Sequence, residues 1–325
     1  MKNVDFKFDF DDILIVPSIK SKITSRYKDI ELPLILPLFT APMDTVVNLN
    51  NYDIFNKNGI NVTLPRTIKY GQFLAKEIIN QKTGNNIVFI SLGFEDIDHY
   101  INGMDFLGVT LENNFRTFHK GAHILIDVAD GHLEKIVDYA KEIKRLRPDI
   151  KIMVGNIANP QTYLWYAENQ CVDYIRVGIG NGGSCLTSKQ SGIGHPMASL
   201  IYEIRRLKLL YVYDHKDDID FHYPPAIVAD GGMKDYSDII KSLALGADYV
   251  MIGSIFNKAF ESCADNYLYG IKIKNKNLAE YLFNKGYPIK KYFRGMSTKE
   301  AQRAMGKTTF KTSEGVTRFR KVEYH

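Results

Sequence analysis

Short runs of apolar and β-branched residues alternate along the chain with segments whose apolar positions recur every three or four residues. The apolar runs predict eight strands, at residues 35–40, 60–64, 87–92, 123–128, 150–154, 174–177, 226–229 and 249–252. The segments between them predict helices, most plainly at 48–58, 70–81 and 133–146. Apolar strands that alternate with helices are typical of a parallel sheet covered on both faces. Eight such units in 325 residues favour a (β/α)8 TIM barrel over an open sheet.

Three segments interrupt this pattern. Residues 100–109 predict an inserted hairpin, and the polar, aromatic segment 209–225 predicts a surface loop before the seventh strand. Beyond the eighth strand, glycines and short alternating runs at 266–325 predict a hairpin and a flap. We therefore expect an α/β protein with a single barrel domain over 1–325, an N-terminal arm at 1–34 and a C-terminal flap region at about 263–325.

The composition excludes several classes of protein. Hydrophobic residues make up 45% of the chain and charged residues 24%, which is typical of globular proteins. The net charge of +5 is dispersed, so we expect no nucleic-acid partner. No apolar run is long enough to span a bilayer, and the N-terminus lacks the apolar core of a signal peptide. We therefore expect no membrane partner and a cytoplasmic location, in the host cytoplasm if the Asn- and Lys-rich composition reflects a viral genome.

Polar residues and glycines follow the predicted strands on one side of the barrel. They are Asp44, Arg66, Asp127, Asn156, Cys185, Asp230 and Gly253, each at or just after the end of a different strand. The carboxyl ends of the strands form the rim that carries the active site in TIM barrels. The sequence therefore predicts a site on this rim.

The loop after the sixth strand is the most unusual of these segments. It holds four glycines between Gly178 and Gly183 and reaches Cys185 two residues later. Successive backbone N–H groups in such a loop can cradle an anion, and its carbonyls can equally ligate a monovalent cation. A cysteine in a polar loop is more reactive than a core thiol. The alternative is a flexible loop with an unused cysteine.

Two further glycine-containing turns close neighbouring strands, at Asp230-Gly231-Gly232 and at Gly253-Ser254. Backbone N–H groups at this place in TIM barrels often hold a phosphate, although glycines there can also form plain tight turns.

A general base is harder to identify from the residues alone. Thr187 needs a carboxylate to act as one, and Glu314 in the flap is the best candidate, with a solvated surface glutamate as the alternative. Cys171 and Cys263 stand beside apolar segments, which indicates structural roles. The three cysteines form no zinc spacing and no disulfide framework, as expected in a reducing compartment.

Taken in order, these motifs resemble those of the IMP dehydrogenase / GMP reductase family nearly end to end. The matching segments lie at 10–17, 41–45, 155–156, 177–187, 229–232, 251–254, 294–297 and 313–315. The resemblance implies a homotetrameric barrel of purine metabolism that acts on a purine nucleotide with a nicotinamide cofactor. It also implies that a cysteine attacks C2 of the purine. The dehydrogenase then passes hydride to NAD, whereas the reductase expels ammonia from GMP and takes hydride from NADPH.

The resemblance assigns roles to individual residues. It makes Cys185 the nucleophile, Thr187 and Glu314 the pair that handles the proton of the leaving ammonia, and Arg66 the basic residue of the reductase site. It implies nucleotide contacts from Asp230, Gly231, Gly232, Gly253, Ser254, Gly295, Met296, Ser297, Lys311, Ser313 and Gly315. It implies cofactor contacts from Ser25, Arg26, Asp127, Val128, Ala129, Ile179 and Gly180. It implies carbonyl ligands for a potassium ion from Gly180, Gly182 and Cys185.

The reductase is favoured over the dehydrogenase. Residues 66–87 leave no room for the regulatory domain that the dehydrogenase carries after its second strand, and no Arg-Tyr pair lies between Met296 and Glu314. We therefore predict an NADPH-dependent reductive deamination of GMP, or of a deoxy or modified guanine nucleotide. An IMP dehydrogenase that makes XMP with NAD, and a non-catalytic purine-nucleotide-binding barrel, remain alternatives.

The sequence departs from the family pattern at several positions. Gly183 stands where the family usually has a phosphate-binding serine, Lys311 replaces an arginine, and Asp130 replaces an asparagine of reductases. The segments 209–225 and 275–291 are extra, and a C-terminal segment that contacts cofactor in typical members is not found before His325. These departures put the identity of the substrate in question more than the chemistry.

Overall fold

The structure of the chain is a computed structural model and describes residues 5–25, 33–69, 71–73, 87–101, 122–183, 185–308 and 315–323. Most of the predicted helix at 70–81 lies outside these ranges. The predicted hairpin at 100–109 also lies outside them, except for Tyr100 and Ile101, which are helical. Within the described ranges, no helix combines the length and apolar character that crossing a membrane requires.

Eight parallel strands form the centre of the fold. They are β1 Leu38–Thr40, β2 Val62–Leu64, β3 Val88–Leu92, β4 Ala122–Asp127, β5 Ile152–Ile157, β6 Tyr174–Val177, β7 Ala226–Asp230 and β8 Tyr249–Ile252. Neighbours in the chain pair from β2 to β8, and β8 pairs with β1. Between β1 and β2 a parallel bridge joins Phe39 to Asn61, whose N–H donates to Leu38 O at 3.0 Å. The predicted (β/α)8 barrel is confirmed.

Helices cover the outside of this sheet. They are α1 Tyr52–Lys57, α2 Phe94–Ile101, α3 Lys135–Leu146, α4 Pro160–Asn169, α5 Thr187–Ser191, α6 Met197–His215, α7 Tyr236–Leu245 and α8 Ser254–Lys258. Local chemistry fixes where several begin. The Asn159 side chain accepts from Gln161 N at the start of α4, with Pro160 at the first helical position. The Asp235 side chain caps α7 in the same way.

The prediction of a surface loop over 209–225 is wrong in its first part, because α6 continues to His215. Tyr211 is buried, its hydroxyl donates to Ala167 O at 3.4 Å, and its ring stacks on His215 with centroids 4.3 Å apart. Lys208 on the same helix donates to Asp248 at 2.7 Å. Polar and aromatic side chains that find such partners on a neighbouring helix or loop keep a polar sequence helical.

The inside of the barrel is filled by large side chains. Phe39, Phe89 and Tyr174 come from β1, β3 and β6, with ring centroids 5.3 to 6.0 Å apart in edge-on contacts. Leu125, Met153, Val228 and Met251 complete this cluster. Aromatic rings in edge-to-face contact pack favourably as well as filling volume. A filled interior leaves the strand ends as the place where a ligand can reach the barrel.

A second, antiparallel sheet follows the barrel. Its strands are β9 Asn266–Leu268, β10 Ile271–Ile273, β11 Lys290–Arg294 and β12 Thr317–Lys321, in the order β10-β9-β11-β12. Two helices, α9 Lys276–Asn284 and α10 Lys299–Ala304, lie in the connections. The predicted hairpin is present as β9 and β10.

Lys291 on β11 joins this sheet to the barrel. Its side chain is fully buried, and Nζ donates to the carbonyl oxygens of Phe260, Ser262 and Ala264 at 3.0, 3.0 and 3.1 Å. A lysine ammonium has three donors, and here each has an acceptor. Burial lowers the pKa of Lys291 to about 8. The three acceptors lie in the segment after α8, so the amine ties β11 to the end of the barrel.

The described part of the N-terminal arm also packs on the barrel. Ser199 N donates to Phe8 O at 3.1 Å, and Phe8 N donates to Ser199 Oγ at 2.7 Å. Phe10 is buried beside Gly232, where a Cβ would lie 3.4 Å from the phenyl ring. The arm therefore packs against the loop after β7.

Replacing Lys291 by methionine is expected to lower the free energy of unfolding by about 3 kcal/mol at pH 7, because three buried carbonyls lose their donor. The effect grows with pH. The folded pKa near 8 lies below the ordinary value of 10.5, so between these values the unfolded chain binds more protons and the wild-type protein gains stability as pH rises. Thermal unfolding of both proteins at pH 7 and pH 9.5 measures this.

Lys290→Met is the matched control, since Lys290 is exposed on the same strand. We expect a change within about 0.5 kcal/mol for it. Equal melting temperatures for the two variants, or a Lys291→Met deficit that does not widen at pH 9.5, contradict the assigned role.

Candidate active site

The loops after β6 and β7 touch each other through their backbones. Gly231 has φ +96°, and a Cβ there would lie 3.0 Å from Gly182 N. Gly178, with φ +123°, faces Asp230, whose carbonyl oxygen would lie 2.4 Å from a Cβ. Only glycine permits both the backbone conformation and the contact at these positions. The turn at Asp230-Gly231-Gly232 and the loop that bears Cys185 are therefore in direct contact.

Cys185 and Thr187 are in contact at the edge of this surface. The thiol Sγ lies 3.2 Å from Thr187 Oγ1, and Cys185 N donates to Gly182 O at 2.9 Å. Thr187 is the first residue of α5, so the helix start fixes the hydroxyl beside the sulfur. The thiol is half-buried and free of any disulfide. The thiol is thus partly open to a ligand and has one hydroxyl neighbour.

The C-terminal sheet reaches the same cysteine. Gly315 forms an antiparallel bridge with Cys185, and a Cβ at Gly315 would lie 2.9 Å from Ser297 Oγ and 3.4 Å from Gly295 Cα. The structure thus brings together Cys185, Gly315, Ser297 and Gly295, which sequence analysis placed in one site. Glu314, Ser313 and Lys311 lie outside the described residues, and their assigned roles stay predictions.

The other two cysteines differ from Cys185. Cys171 is buried, and burial raises the pKa of its thiol to about 11. Burial likewise raises the pKa of the Cys263 thiol to about 12, and its Sγ donates to Asp44 O at 3.2 Å. Thiols that stay protonated are poor nucleophiles, which supports structural roles for both.

Sequence analysis missed the most buried charge of the site, Arg176 on β6. Its Nη1 donates to Asp127 Oδ1 at 2.7 Å, and its Nη2 donates to Asp230 Oδ2 at 2.7 Å. Burial opposes the charge, yet the carboxylates of Asp230 and Asp127 hold the pKa of Arg176 above its usual value. The sequence did contain a signal for this cluster, since Arg176 interrupts the apolar run 174–177. A cation in a strand buried on both faces requires anionic or hydrogen-bonding partners.

Strand β5 lies between Asp127 on β4 and Arg176 on β6, and it carries a glycine where it contacts Arg176. Gly155 on β5 has φ +137°, and a Cβ there would lie 2.8 Å from the Arg176 Cβ. The next residue, Asn156, donates from Nδ2 to both Asp230 Oδ2 and Gly178 O, each at 2.8 Å. The Gly155-Asn156 motif therefore positions Asp230 and the cysteine loop.

A second ion pair joins the rim to the C-terminal sheet. Arg294, at the end of β11, donates through Nε to Asp44 Oδ1 at 3.2 Å and through Nη2 to Asp44 Oδ2. The hydrogen bond to Asp44 raises the pKa of Arg294. This pair holds the start of the 295–297 segment against the loop after β1.

The remaining nucleotide-binding predictions fall on the same rim. Gly232 packs on Met197 and Phe10, Gly253 packs on Met43, and Ser254 Oγ donates to Met233 O at 3.2 Å. Met296 is half-buried in the segment after Arg294. The hydrogen bond to Met233 thus joins the start of α8 to the loop after β7.

The cofactor predictions divide in a similar way. Val128, Ile179 and Gly180 are half-buried and Ala129 is exposed, all on rim loops next to Asp127 or Cys185. Ser25 is exposed, and Arg26 lies outside the described residues. Arg66 packs its guanidinium on Gly93, with Nη2 3.9 Å from Asp96 Oδ2.

Two of the carbonyls predicted for potassium take part in the loop itself. Gly180 O accepts from Ser188 Oγ at 3.2 Å, and Gly182 O accepts from Cys185 N. Each carbonyl oxygen has a second lone pair, so these bonds leave capacity for an ion. Among the described residues, no group of three His, Cys, Asp or Glu side chains forms a metal site.

Removing the charge of Arg176 leaves two half-buried carboxylates without their main partner. We expect Arg176→Met to lower the free energy of unfolding by about 3–5 kcal/mol, as measured by thermal or denaturant unfolding. Arg145→Met is the control, because Arg145 is exposed and pairs with Glu142 at the surface, where solvent screens the attraction and its loss changes stability little. A deficit in Arg176→Met no larger than that of the control would show that the cluster does not stabilise the rim.

Comparisons with known proteins show the family to which the chain belongs. The family model described as IMP dehydrogenase / GMP reductase domain matches residues 117–321. A GMP reductase of Onchocerca volvulus is 26% identical, over 92% of this chain and 84% of that protein. GMP reductases of Streptococcus pneumoniae strain JJA and Streptococcus gordonii are 29% and 27% identical, over 78% and 85% of this chain and 71% and 77% of those proteins. The chain therefore belongs to the IMP dehydrogenase / GMP reductase family.

Proposed function

We propose that the protein catalyses the NADPH-dependent reductive deamination of a guanine nucleotide, releasing ammonia and forming the inosine nucleotide. The observation that carries the proposal is the meeting of Cys185 with Thr187 on one side and Gly315 on the other, on the rim of a barrel. The similar proteins named as GMP reductases support the choice of reaction. GMP is the first substrate to test, followed by its deoxy form.

The proposed reaction requires a nucleophile that attacks C2 of the purine and a proton donor for the departing amine. In the proposed first step the Cys185 sulfur bonds to C2, the exocyclic C2–N bond breaks, and the nitrogen leaves as ammonia after receiving a proton. In the second step a hydride bonds to C2 as the C–S bond breaks, which returns the thiolate. A bound nicotinamide supplies that hydride.

Thr187 is suited to move the proton because its hydroxyl already contacts the sulfur at 3.2 Å. A hydroxyl needs a carboxylate behind it to act as an acid or base, and we assign that role to Glu314. Glu314 directly precedes Gly315, whose backbone is paired with Cys185. Sequence adjacency to a residue bridged to the nucleophile is the support for this assignment.

We propose that the ribose binds at Asp230 and that the phosphate binds to backbone groups of the neighbouring loops. The hydrogen bonds of Asp230 with Arg176 and Asn156 all go to Oδ2, and we assign Oδ1 to the ribose hydroxyls. Backbone N–H groups of Gly232, Gly253 and Ser254 are proposed to hold the phosphate. Asp127, Val128, Ala129, Ile179 and Gly180 are proposed to line the cofactor site.

Two further properties belong to the proposal. We assign potassium to the carbonyls of Gly180, Gly182 and Cys185, which an assay in potassium and in sodium salts tests. We also propose a homotetramer, supported by the strong exposure of Leu14, Val16 and Ile19 on the arm, at 88%, 85% and 100%. Apolar side chains exposed in a row are typical of a surface that packs on another protein. Sedimentation measures the assembly.

Incubation with GMP or dGMP and NADPH is expected to oxidise the cofactor and release one ammonia for each nucleotide. Cys185→Ala is expected to abolish turnover and the covalent nucleotide adduct that intact mass spectrometry detects on the wild-type protein. Cys171→Ala is the control, since that thiol is buried away from the rim. No turnover with any guanine nucleotide would contradict the reaction, and formation of XMP from IMP and NAD would identify a dehydrogenase instead.

Removal of the Thr187 hydroxyl tests the proton-transfer step separately. We expect Thr187→Val to lower kcat by about 10²–10⁴, the usual contribution of a positioned acid–base group. Thr187→Ser keeps the hydroxyl and is expected to retain most of the activity. Equal kcat values for the two variants would exclude the hydroxyl from the mechanism.

A further inference from the structure

The position of Gly183 in the cysteine loop is filled by an arginine from a distant strand. A Cβ at Gly183 would lie 3.1 Å from Nη2 of Arg320, which stands on β12. That distance is tighter than nine in ten contacts of real Cβ atoms, so a side chain at 183 would require the guanidinium to move by a few tenths of an ångström. Glycine here is therefore matched to the presence of Arg320.

The guanidinium is held in place by an aromatic ring. Its carbon lies 4.3 Å from the centroid of Phe293, which is buried on the neighbouring strand β11. Arg320 also stands opposite Lys291 in the register of the two strands. A planar guanidinium stacked on a ring is pre-organised, so few rotamers are lost when it binds a ligand.

Arg320 forms no direct ion pair with a described residue, although the charge of Glu323 attracts it. Its Nε is buried with no hydrogen-bond acceptor among the described residues, and none of the described ion pairs includes Arg320. Glu323, the nearest acid along the strand, accepts from Lys258 at 3.1 and 3.2 Å. Burial lowers the pKa of Arg320, and the like charge of Arg318 lowers it further. A cation partly removed from water with an unused donor is suited to an anionic ligand.

The location indicates which anion this is. Gly183 follows Gly182, whose backbone touches Gly231 in the loop that begins with Asp230. Gly183 itself is exposed, so a ligand can approach it. Glycine at position 183 supplies no side-chain donor of its own to a ligand that approaches this loop. A guanidinium forms paired hydrogen bonds with phosphate oxygens, which a single hydroxyl cannot.

We propose that Arg320 binds the phosphate of the nucleotide substrate beside Gly183. The inference rests on the proposed function for the identity of the nucleotide. One part of the inference does not depend on the reaction. It is that a side chain of the C-terminal sheet binds a phosphate monoester at the rim. Phosphate binding in this protein thus combines backbone groups of the barrel with a full positive charge from β12.

Arg320→Gln tests this by removing the charge while keeping a polar side chain of moderate length. We expect the Kd for GMP, measured by calorimetry, to rise roughly 10- to 100-fold, the effect of losing hydrogen bonds to a charged group. The Kd for guanosine, which has no phosphate, is expected to stay within about twofold. Lys321→Gln removes the same charge from the next residue, which is exposed, and is expected to change neither value.

A second pair of variants tests whether a side chain at position 183 crowds the guanidinium of Arg320. Gly183→Ser alone is expected to weaken GMP binding, because its Cβ displaces the guanidinium. In the Arg320→Gln background the same serine is expected to improve GMP binding, since the hydroxyl then has room to reach the phosphate. Arg320→Lys, which keeps the charge but not the paired donors, is expected to bind GMP with intermediate affinity and serves if Arg320→Gln does not fold.

The outcomes separate this inference from the proposed reaction. A Kd for GMP unchanged in Arg320→Gln, or an equal loss of GMP and guanosine binding, overturns the phosphate role even if the wild-type protein turns over. A selective loss of GMP binding in a protein that shows no reductase activity supports the phosphate site and overturns the reaction. Absence of any GMP binding by the wild-type protein overturns both.

Discussion

The candidate site depends on one buried cation. Arg176 lies inside the barrel mouth and holds Asp127 and Asp230, while Asn156 adds a hydrogen bond to Asp230. These four residues come from β4, β5, β6 and β7, which are neighbours in the sheet. Taking a charge out of water is costly unless its partners keep good geometry. The same requirement fixes the ends of four strands relative to one another, and with them the loops that carry the chemistry.

The glycines of the rim are a consequence of this close arrangement. A Cβ at Gly155 would collide with Arg176, and one at Gly178 would collide with the backbone of Asp230. Both have positive φ, so their conformation and their space each require glycine. Because the loops after β5, β6 and β7 approach one another so closely, backbone N–H and C=O groups of neighbouring loops lie at the surface where a ligand can use them. The glycine-rich sequence therefore reflects packing against a charge as much as flexibility.

Most of the barrel follows from the sequence, because each strand is an apolar run and each polar residue after it must lie on the same rim. Cys185, Asp230 and Gly253 could be placed in this way. The helical turns at 209–215 could not, since they depend on the contacts of Tyr211 and Lys208 with other elements. The bridge between Cys185 and Gly315 and the approach of Arg320 to Gly183 were also beyond reach, because they join segments far apart in the chain. The motifs gave the members of the site, whereas tertiary packing decided which of them meet.

The C-terminal sheet completes what the barrel leaves open. The barrel carries the thiol and the Arg176 cluster, but Gly315, Ser297 and Arg320 come from the sheet or its connections. The sheet is held by the buried Lys291 on three carbonyls and by the half-buried Arg294 on Asp44, so two cations of β11 set its position. In this arrangement a change that loosens β11 would move Gly315 and Arg320 together. The surroundings of Cys185 and the position of the Arg320 charge are thereby coupled through the strand pair β11–β12, so the sheet forms part of the candidate site.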